Sequence, residues 1–353
     1  MAAIEDDQAA GSAVPAVALS SGKPMPRIGL GTASFPLGNA GDRPVVREAV
    51  LRALDAGYRH FDTSAVYGTE RAIGDAVAEA VSAGTLASRD DVYITSKLWI
   101  ADAHPGHVLP ALRKTLQNLQ MEYVDLYLIH FPVSMRLPEA EGGAGAGPVL
   151  AKENLVEMDM KGVWEEMEEC HRRGLAKAIG VSNFSCKKLD YLLSFANIPP
   201  AVNQVEVNPC CRQNKLRVFC REKGIQLCAY SPLGGKGAPW ANNSVMNSPL
   251  LRQIALTKGK TVAQVCIRWV YEQGDCVIAK SFNEKRMREN LDIFEWQLTE
   301  DECRRISALP ESRGTYDFFV HESGPYKTAQ EFWDGEIVAG QANNDALSLD
   351  PTN

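Results

Sequence analysis

The chain has 353 residues, 45% hydrophobic and 23% charged, with a formal net charge of −7. That is enough apolar material for one large α/β barrel or two medium domains. No apolar run reaches the roughly eighteen residues a membrane span needs, and the absence of a basic block argues against nucleic-acid binding, which draws on clustered Lys and Arg.

Residues 1–22 are Ala-rich, carry Glu5, Asp6 and Asp7, and lack the basic start and apolar middle of a secretory signal. They are expected to be a disordered cap, and the protein to be cytoplasmic. Arg27 to Gly31 is the first strand candidate and ends at Gly31-Thr32. Pro44 to Ala56 has helical spacing, with Pro44 able to start it and Gly57 to end it. Tyr58 to Asp62 reads as the second strand, followed by Thr-Ser-Ala-Val-Tyr67-Gly68. Helical spacing resumes at Ile73, Val77 and Val81. Val92 to Lys97 is β-branched and extended. A helix from about His107 to Leu119 precedes the nearly continuous apolar run Tyr123 to His130, suited to a strand covered on both faces.

Pro132 to about Pro148 is a long loop. Met160 to Arg173 is a helix capped by Gly174. Then come Ala176–Ser182, Val202–Glu206 and Ile225–Tyr230, a helix around Val262 to Glu272, and Val277–Lys280. Eight strand candidates alternating with helices imply a parallel sheet. An open doubly wound sheet wants a third glycine in register after the first strand, and none follows Gly29-Leu-Gly31. A closed (β/α)8 barrel over residues 23–310 is therefore predicted. Residues 311–340 follow as a separate aromatic-rich segment with Phe318, Phe319, Tyr326, Phe332 and Trp333, and residues 341–353 as a disordered tail.

Function in such a barrel sits where the strands end. Those ends carry Asp62 with Tyr67 beyond it, Lys97, His130, Ser182-Asn183, Gln204, Tyr230-Ser231 and Lys280-Ser281. Each alone is more often a turn, surface or packing residue. Their convergence on one rim is what favours a site. A tyrosine, with a pKa of about 10, is a poor acid at neutral pH unless a cation favours its phenolate. Lys97 could supply that cation, with Asp62 holding it charged, while His130 could orient a carbonyl oxygen. Carbonyl reduction needs such an acid, and its hydride must come from a cofactor.

Nine cysteines are scattered without a C-x-x-C, so buried free thiols in a reducing compartment are expected. His104-Pro-Gly-His107 offers two metal-ligand types without an evident third, and no metal is expected.

Taken in order, Gly29-Leu-Gly-Thr32, Gly57 to Gly68, Ser96-Lys97-Leu-Trp99, Leu128-Ile-His130-Phe-Pro132, Gly180 to Phe184, Gln204-Val-Glu206, Tyr230-Ser-Pro-Leu-Gly234 and Lys280-Ser281 make the chain resemble an aldo-keto reductase. The resemblance runs from about Pro24 to Trp296. It implies the (β/α)8 barrel, a small-molecule carbonyl substrate, NADPH as hydride donor, Tyr67 as proton donor, and Asp62, Lys97 and His130 as its partners. It also implies a cofactor site. Gly31, Thr32 and Asp62 would lie beside it, and Ser182, Asn183 and Gln204 on the carboxamide. Tyr230 would stack on nicotinamide, with Ser231 and Leu233 over the pyrophosphate. Lys280, Ser281 and Arg286 would meet the 2′-phosphate, and Glu289 and Asn290 the adenine. Ala33, Trp99, His130 and Phe131, with Trp240, would line the substrate pocket, and the 311–340 segment would cover its mouth. Ala33 and Phe131 stand where many members have tryptophan, and Phe282 and Asn283 depart from the pattern near the phosphate. Members are often monomers.

Within the family, Met158 to Trp164 and the ending Gly324 to Gly335 resemble the plant clade of deoxymugineic acid synthases, chalcone (polyketide) reductases and codeinone reductases. The lean is to reduction of a 3″-keto intermediate of phytosiderophore synthesis. The alternatives are a broad stress-related aldehyde, ketone or polyketide reductase, and a non-catalytic NADPH-binding barrel acting as a regulatory subunit.

Overall fold

Eight short parallel strands close into a barrel because each presents one apolar face outward to helices and another inward. The structure, a computed structural model, describes residues 14–336 except 36, 39–42, 137–150, 236–237, 239–240, 242, 315–316 and 318. The barrel strands are β1 (Ile28–Gly31), β2 (His60–Asp62), β3 (Tyr93–Leu98), β4 (Val124–Ile129), β5 (Ala176–Ser182), β6 (Val202–Glu206), β7 (Gln226–Tyr230) and β8 (Cys276–Ala279). Each pairs in parallel with its neighbours, and β8 closes on β1 through Val277 opposite Ile28 and Ala279 opposite Leu30. An open sheet is thereby ruled out.

Outside it lie α1 (Arg43–Ala56), α2 (Glu70–Ser82), α3 (Val108–Leu119), α4 (Met160–Arg172), α5 (Cys186–Leu193), α6 (Asn214–Glu222), α7 (Val262–Glu272) and α8 (Glu284–Leu291). The period of two along each strand divides the core. Ile94, Leu98, Tyr127 and Ile129 pack against the helices. Tyr93, Leu126, Leu128, Cys228 and Ile278 fill the inside.

Residues 14–22 depart from the expected disordered cap. Ala16–Val17 pairs antiparallel with Met25–Pro26, and Val17, Leu19 and Met25 pack on the inner cluster, stopping one end of the barrel. Two-residue strands carry no readable alternation, so this hairpin was invisible to pattern. Residues 1–13, most of the Pro132–Pro148 loop, Trp240, Phe318 and the tail from 341 lie outside the described residues. All nine cysteines are free thiols, eight of them buried. His104 is used structurally, its Nε2 2.7 Å from the Met135 carbonyl.

Candidate active site

The inward register that puts His60 and Asp62 on one face of β2 also puts Thr95 and Lys97 on the inner face of β3. Both strands end at the same rim. There Lys97 Nζ donates to Asp62 Oδ1 at 2.6 Å and to the Thr63 carbonyl at 2.9 Å. Lys97 is 1% and Asp62 3% exposed, so this is an ion pair shielded from water. The other carboxylate oxygen of Asp62 accepts from Gln204 Nε2 at 2.8 Å.

After Asp62 the chain makes a single 3-10 turn, Ala65–Tyr67, closed by Gly68 at φ 70°, a conformation glycine takes without strain. That turn folds Tyr67 back over the barrel mouth. Its hydroxyl lies 3.3 Å from His130 Nε2, and Lys97 Nζ lies 5.3 Å from the centre of its ring. His130 Nδ1 meets the Ser64 hydroxyl at 3.1 Å. The four side chains predicted to meet therefore do meet.

A second set continues from them. Asn183 takes a left-handed backbone (φ 65°), which points its amide inward. Its Nδ2 donates to the His130 carbonyl and to Ser182 Oγ, each at 3.0 Å, and its Oδ1 accepts from the Tyr230 hydroxyl at 2.7 Å. Ser182 Oγ donates to the Gln204 carbonyl at 2.7 Å. One hydrogen-bonded path thus joins Lys97, Asp62, Gln204, Ser182, Asn183, Tyr230, His130 and Tyr67. Gly31 and Thr32 end β1 beside it, with Thr32 Oγ1 on the Asp62 carbonyl at 2.9 Å.

The electrostatics correct one expectation. Burial, then the Asp62 carboxylate and Tyr230, push the Tyr67 phenol well above its ordinary value. Lys97 was expected to lower it. Its ammonium is instead in direct contact with Asp62, at 2.6 Å, and does not offset these influences. His130 is held well below the ordinary histidine value by burial and then by Lys97, so its ring is neutral.

The remaining predicted residues lie beyond β7 and around the end of β8. Lys280 and Ser281 follow the strand, and Arg286 and Glu289 lie on α8. The Arg286 guanidinium has no hydrogen-bond or ion-pair partner among the described residues, and its backbone N–H is capped by Asn283 Oδ1 at 3.0 Å. Asn290 is buried and turned to the Tyr58 hydroxyl. Glu289 pairs with Lys285 at 3.8 Å. Ser231 sits at φ 50° just beyond β7, and Leu233 packs on the outer core.

The mouth is aromatic. Trp99 and His130 meet edge to face at 5.2 Å between ring centres, and Phe131 stacks on His130 at 5.0 Å. Ala33 lies half-buried beside the end of β1. Phe319, from the segment after residue 310, reaches Phe131 at 4.2 Å and Trp99 at 6.4 Å. That segment is anchored by Lys188, whose Nζ donates to Asp334 Oδ2 at 2.5 Å and to the Phe332 carbonyl at 2.6 Å. Sequence reading missed Ser64, Lys188 and Asp334. Ser64 stood inside the Asp62–Tyr67 stretch and could have been flagged; a lone lysine on a helix and an aspartate in a loop carry no such mark.

A sequence profile described as the Aldo/keto reductase family matches residues 27–311. A deoxymugineic acid synthase of Triticum aestivum (1-A) is 62% identical over 315 residues, covering 89% of this chain and 97% of that protein. The (1S)-1,7-diacetoxy-luvungin A aldo-keto reductase of Citrus sinensis is 52% identical over 329 residues, covering 93% of this chain and all of that protein. The crystal structure of a Bombyx mori aldo-keto reductase in complex with NADP aligns with a TM-score of 0.73 at 35% identity, over 84% of this chain and 93% of that one. The profile spans the whole barrel and the relatives match along nearly their full length: this chain belongs to the aldo/keto reductase family.

Proposed function

We propose that this protein reduces a ketone or aldehyde to an alcohol with NADPH, Tyr67 giving the proton. The observation that carries the reading is the meeting of Tyr67, Lys97, Asp62 and His130 at one barrel rim. NADPH, when bound, supplies the hydride. Asn183, Ser182 and Gln204 bring amide and hydroxyl groups suited to a carboxamide, and Tyr230 is a ring held in place by Asn183. Lys280 and the Arg286 guanidinium bring two cations to a 2′-phosphate, where arginine can fork onto oxygens.

The chain's own groups then act on the substrate. Trp99 and Phe131, with Phe319 above them, exclude water from the carbonyl. His130 holds the Tyr67 hydroxyl toward its oxygen. As that oxygen gains negative charge it takes the Tyr67 proton. The ordinary phenol is raised here, so the proton stays on Tyr67 until a strong base, the forming alkoxide, asks for it.

For the substrate, the 62% identity to deoxymugineic acid synthases supports a 3″-keto precursor of a phytosiderophore. The aromatic mouth favours a second reading, broad reduction of apolar aldehydes and ketones. Residues 311–340 act as the substrate-covering segment. Nine free thiols support a reducing, cytoplasmic setting, and we take the enzyme to act as a monomer.

NADPH oxidation by the purified protein, with the keto acid beside simple aromatic aldehydes, decides between the substrates by kcat/KM. NADPH should outperform NADH; equal kcat/KM for the two would refute the role of Lys280 and Arg286. Tyr67→Phe should lower kcat by about two to four orders of magnitude while NADPH still quenches the protein's fluorescence. Unchanged turnover in that variant would instead favour a regulatory NADPH-binding barrel.

A further inference from the structure

The imidazole of His130 is held at both nitrogens, by Ser64 Oγ at Nδ1 (3.1 Å) and by the Tyr67 hydroxyl at Nε2 (3.3 Å). A neutral imidazole has one N–H and one bare nitrogen, and its two partners decide which is which. Phe131 and Trp99 fix the plane of the ring, but neither distinguishes its two nitrogens. Ser64 does. It is fully buried, so no bulk water competes for its single hydrogen.

That hydrogen has two acceptors in reach. One is Nδ1 at 3.1 Å, and the other is the Lys97 carbonyl at 3.4 Å, at the long end of the hydrogen-bond range. We propose that Ser64 is a positioning residue for the reaction: its hydroxyl donates to Nδ1 of His130, so that Nε2 carries the ring hydrogen and presents it to the Tyr67 oxygen. This rests on Tyr67 being the proton donor. The opposite arrangement puts the hydrogen on Nδ1, turns Ser64 to the more distant carbonyl, and leaves Nε2 bare. A bare Nε2 would accept the Tyr67 hydrogen and tie up the proton the alkoxide needs. With Ser64 donating, the Tyr67 oxygen accepts from Nε2 and its own hydrogen is free to face the substrate. The same contact opposes the rise that burial and Asp62 impose on the phenol.

The test is the tautomer itself, read from two-bond proton–nitrogen correlation spectra of 15N-histidine-labelled protein with NADPH bound, His130 being assigned by its loss in His130→Gln. The expected pattern is a bare Nδ1 and a protonated Nε2. A protonated Nδ1 in the wild-type protein overturns the proposal. In Ser64→Ala the pattern should be lost and kcat should fall roughly tenfold, the scale of one hydrogen bond, with KM and the Kd for NADPH little changed. Ser64→Thr, which keeps the hydroxyl, should restore both pattern and rate. A Ser64→Ala variant with lowered Tm but wild-type kcat would mean a purely structural role and would also overturn it. Should Ser64→Ala fail to fold, the wild-type and Ser64→Thr spectra still decide. The spectrum needs no turnover, so a failure of carbonyl reduction would strike the proposed function and leave the tautomer to be read separately.

Discussion

Lys97 and Asp62 share one 2.6 Å contact out of reach of water. Removing one partner of such a pair strands the other. Lys97→Met should therefore cost about 3 kcal/mol of stability, read from urea unfolding, as well as turnover. The double variant Asp62→Asn/Lys97→Met should recover much of the stability and none of the activity, because no lone charge remains buried. If the double variant is less stable than the single, the pair is not the source of the loss. One layer below, His60 bonds Thr95 Oγ1 at 2.9 Å and lies 3.2 Å from the Pro26 carbonyl. Burial pushes its imidazole down to about 4, with Asp62 pulling partly the other way. Between the unfolded value of about 6.5 and that folded value, the unfolded chain binds a proton that the folded chain refuses. The contribution is fully present above about pH 6.5 and is lost as pH falls toward 4, by up to roughly 3 kcal/mol. His130 is displaced in the same direction and adds to the acid limb. His60→Gln should make the decline of the urea midpoint between about pH 7 and 4.5 shallower; an unaltered slope would mean that His60 is not a source of it.

At the scale of elements, the helix behind the Tyr67 turn is seated by a missing side chain. A Cβ on Gly74 of α2 would stand 2.2 Å from the Leu119 carbonyl oxygen and 2.6 Å from its carbon at the end of α3. The obstacle is backbone, which cannot swing aside. Gly74→Ala should thus force the two helices apart and cost about 1–3 kcal/mol, although alanine is the better helix former. A variant as stable as wild type in urea would show that α2 and α3 can separate freely. The helices α1, α3, α4 and α7 were legible because each repeats an apolar face over three turns or more. α5, α6 and α8 were not, since eight or nine residues offer too few apolar positions to set a period. α6 and α8 are mostly polar, and caps such as Ser185 on Lys188 N–H and Asn283 on Arg286 N–H start α5 and α8.

Over the whole molecule, the segment after residue 310 is a strap fastened near both of its described ends. Glu206 at the end of β6 accepts from the Gly314 N–H at 3.0 Å. Farther along, Asp334 bonds Ser185 Oγ at 2.6 Å and the buried Lys188, while Glu336 accepts from the Cys186 N–H at 3.1 Å. Between those fastenings Phe319 lies on the aromatic mouth. Asp334→Ala should loosen the strap, raise KM for the carbonyl several-fold, speed proteolysis between residues 314 and 336, and leave NADPH affinity unchanged; a KM equal to wild type would mean that the fastening plays no part in substrate binding. The order of the eight strands and of the longer helices, the closed barrel, and the residues at the rim were determined by the sequence alone. They follow from local periodicity and from the rule that strand ends face one side of a parallel barrel. Only the folded chain decided that Ser64 meets His130, that burial and then Asp62 raise the Tyr67 phenol, and that Asp334 closes on Lys188 from 146 residues away. Those outcomes depend on distances of a few ångströms between segments remote in sequence, and charge and hydrogen bonding fall off too steeply with distance for residue order to fix them.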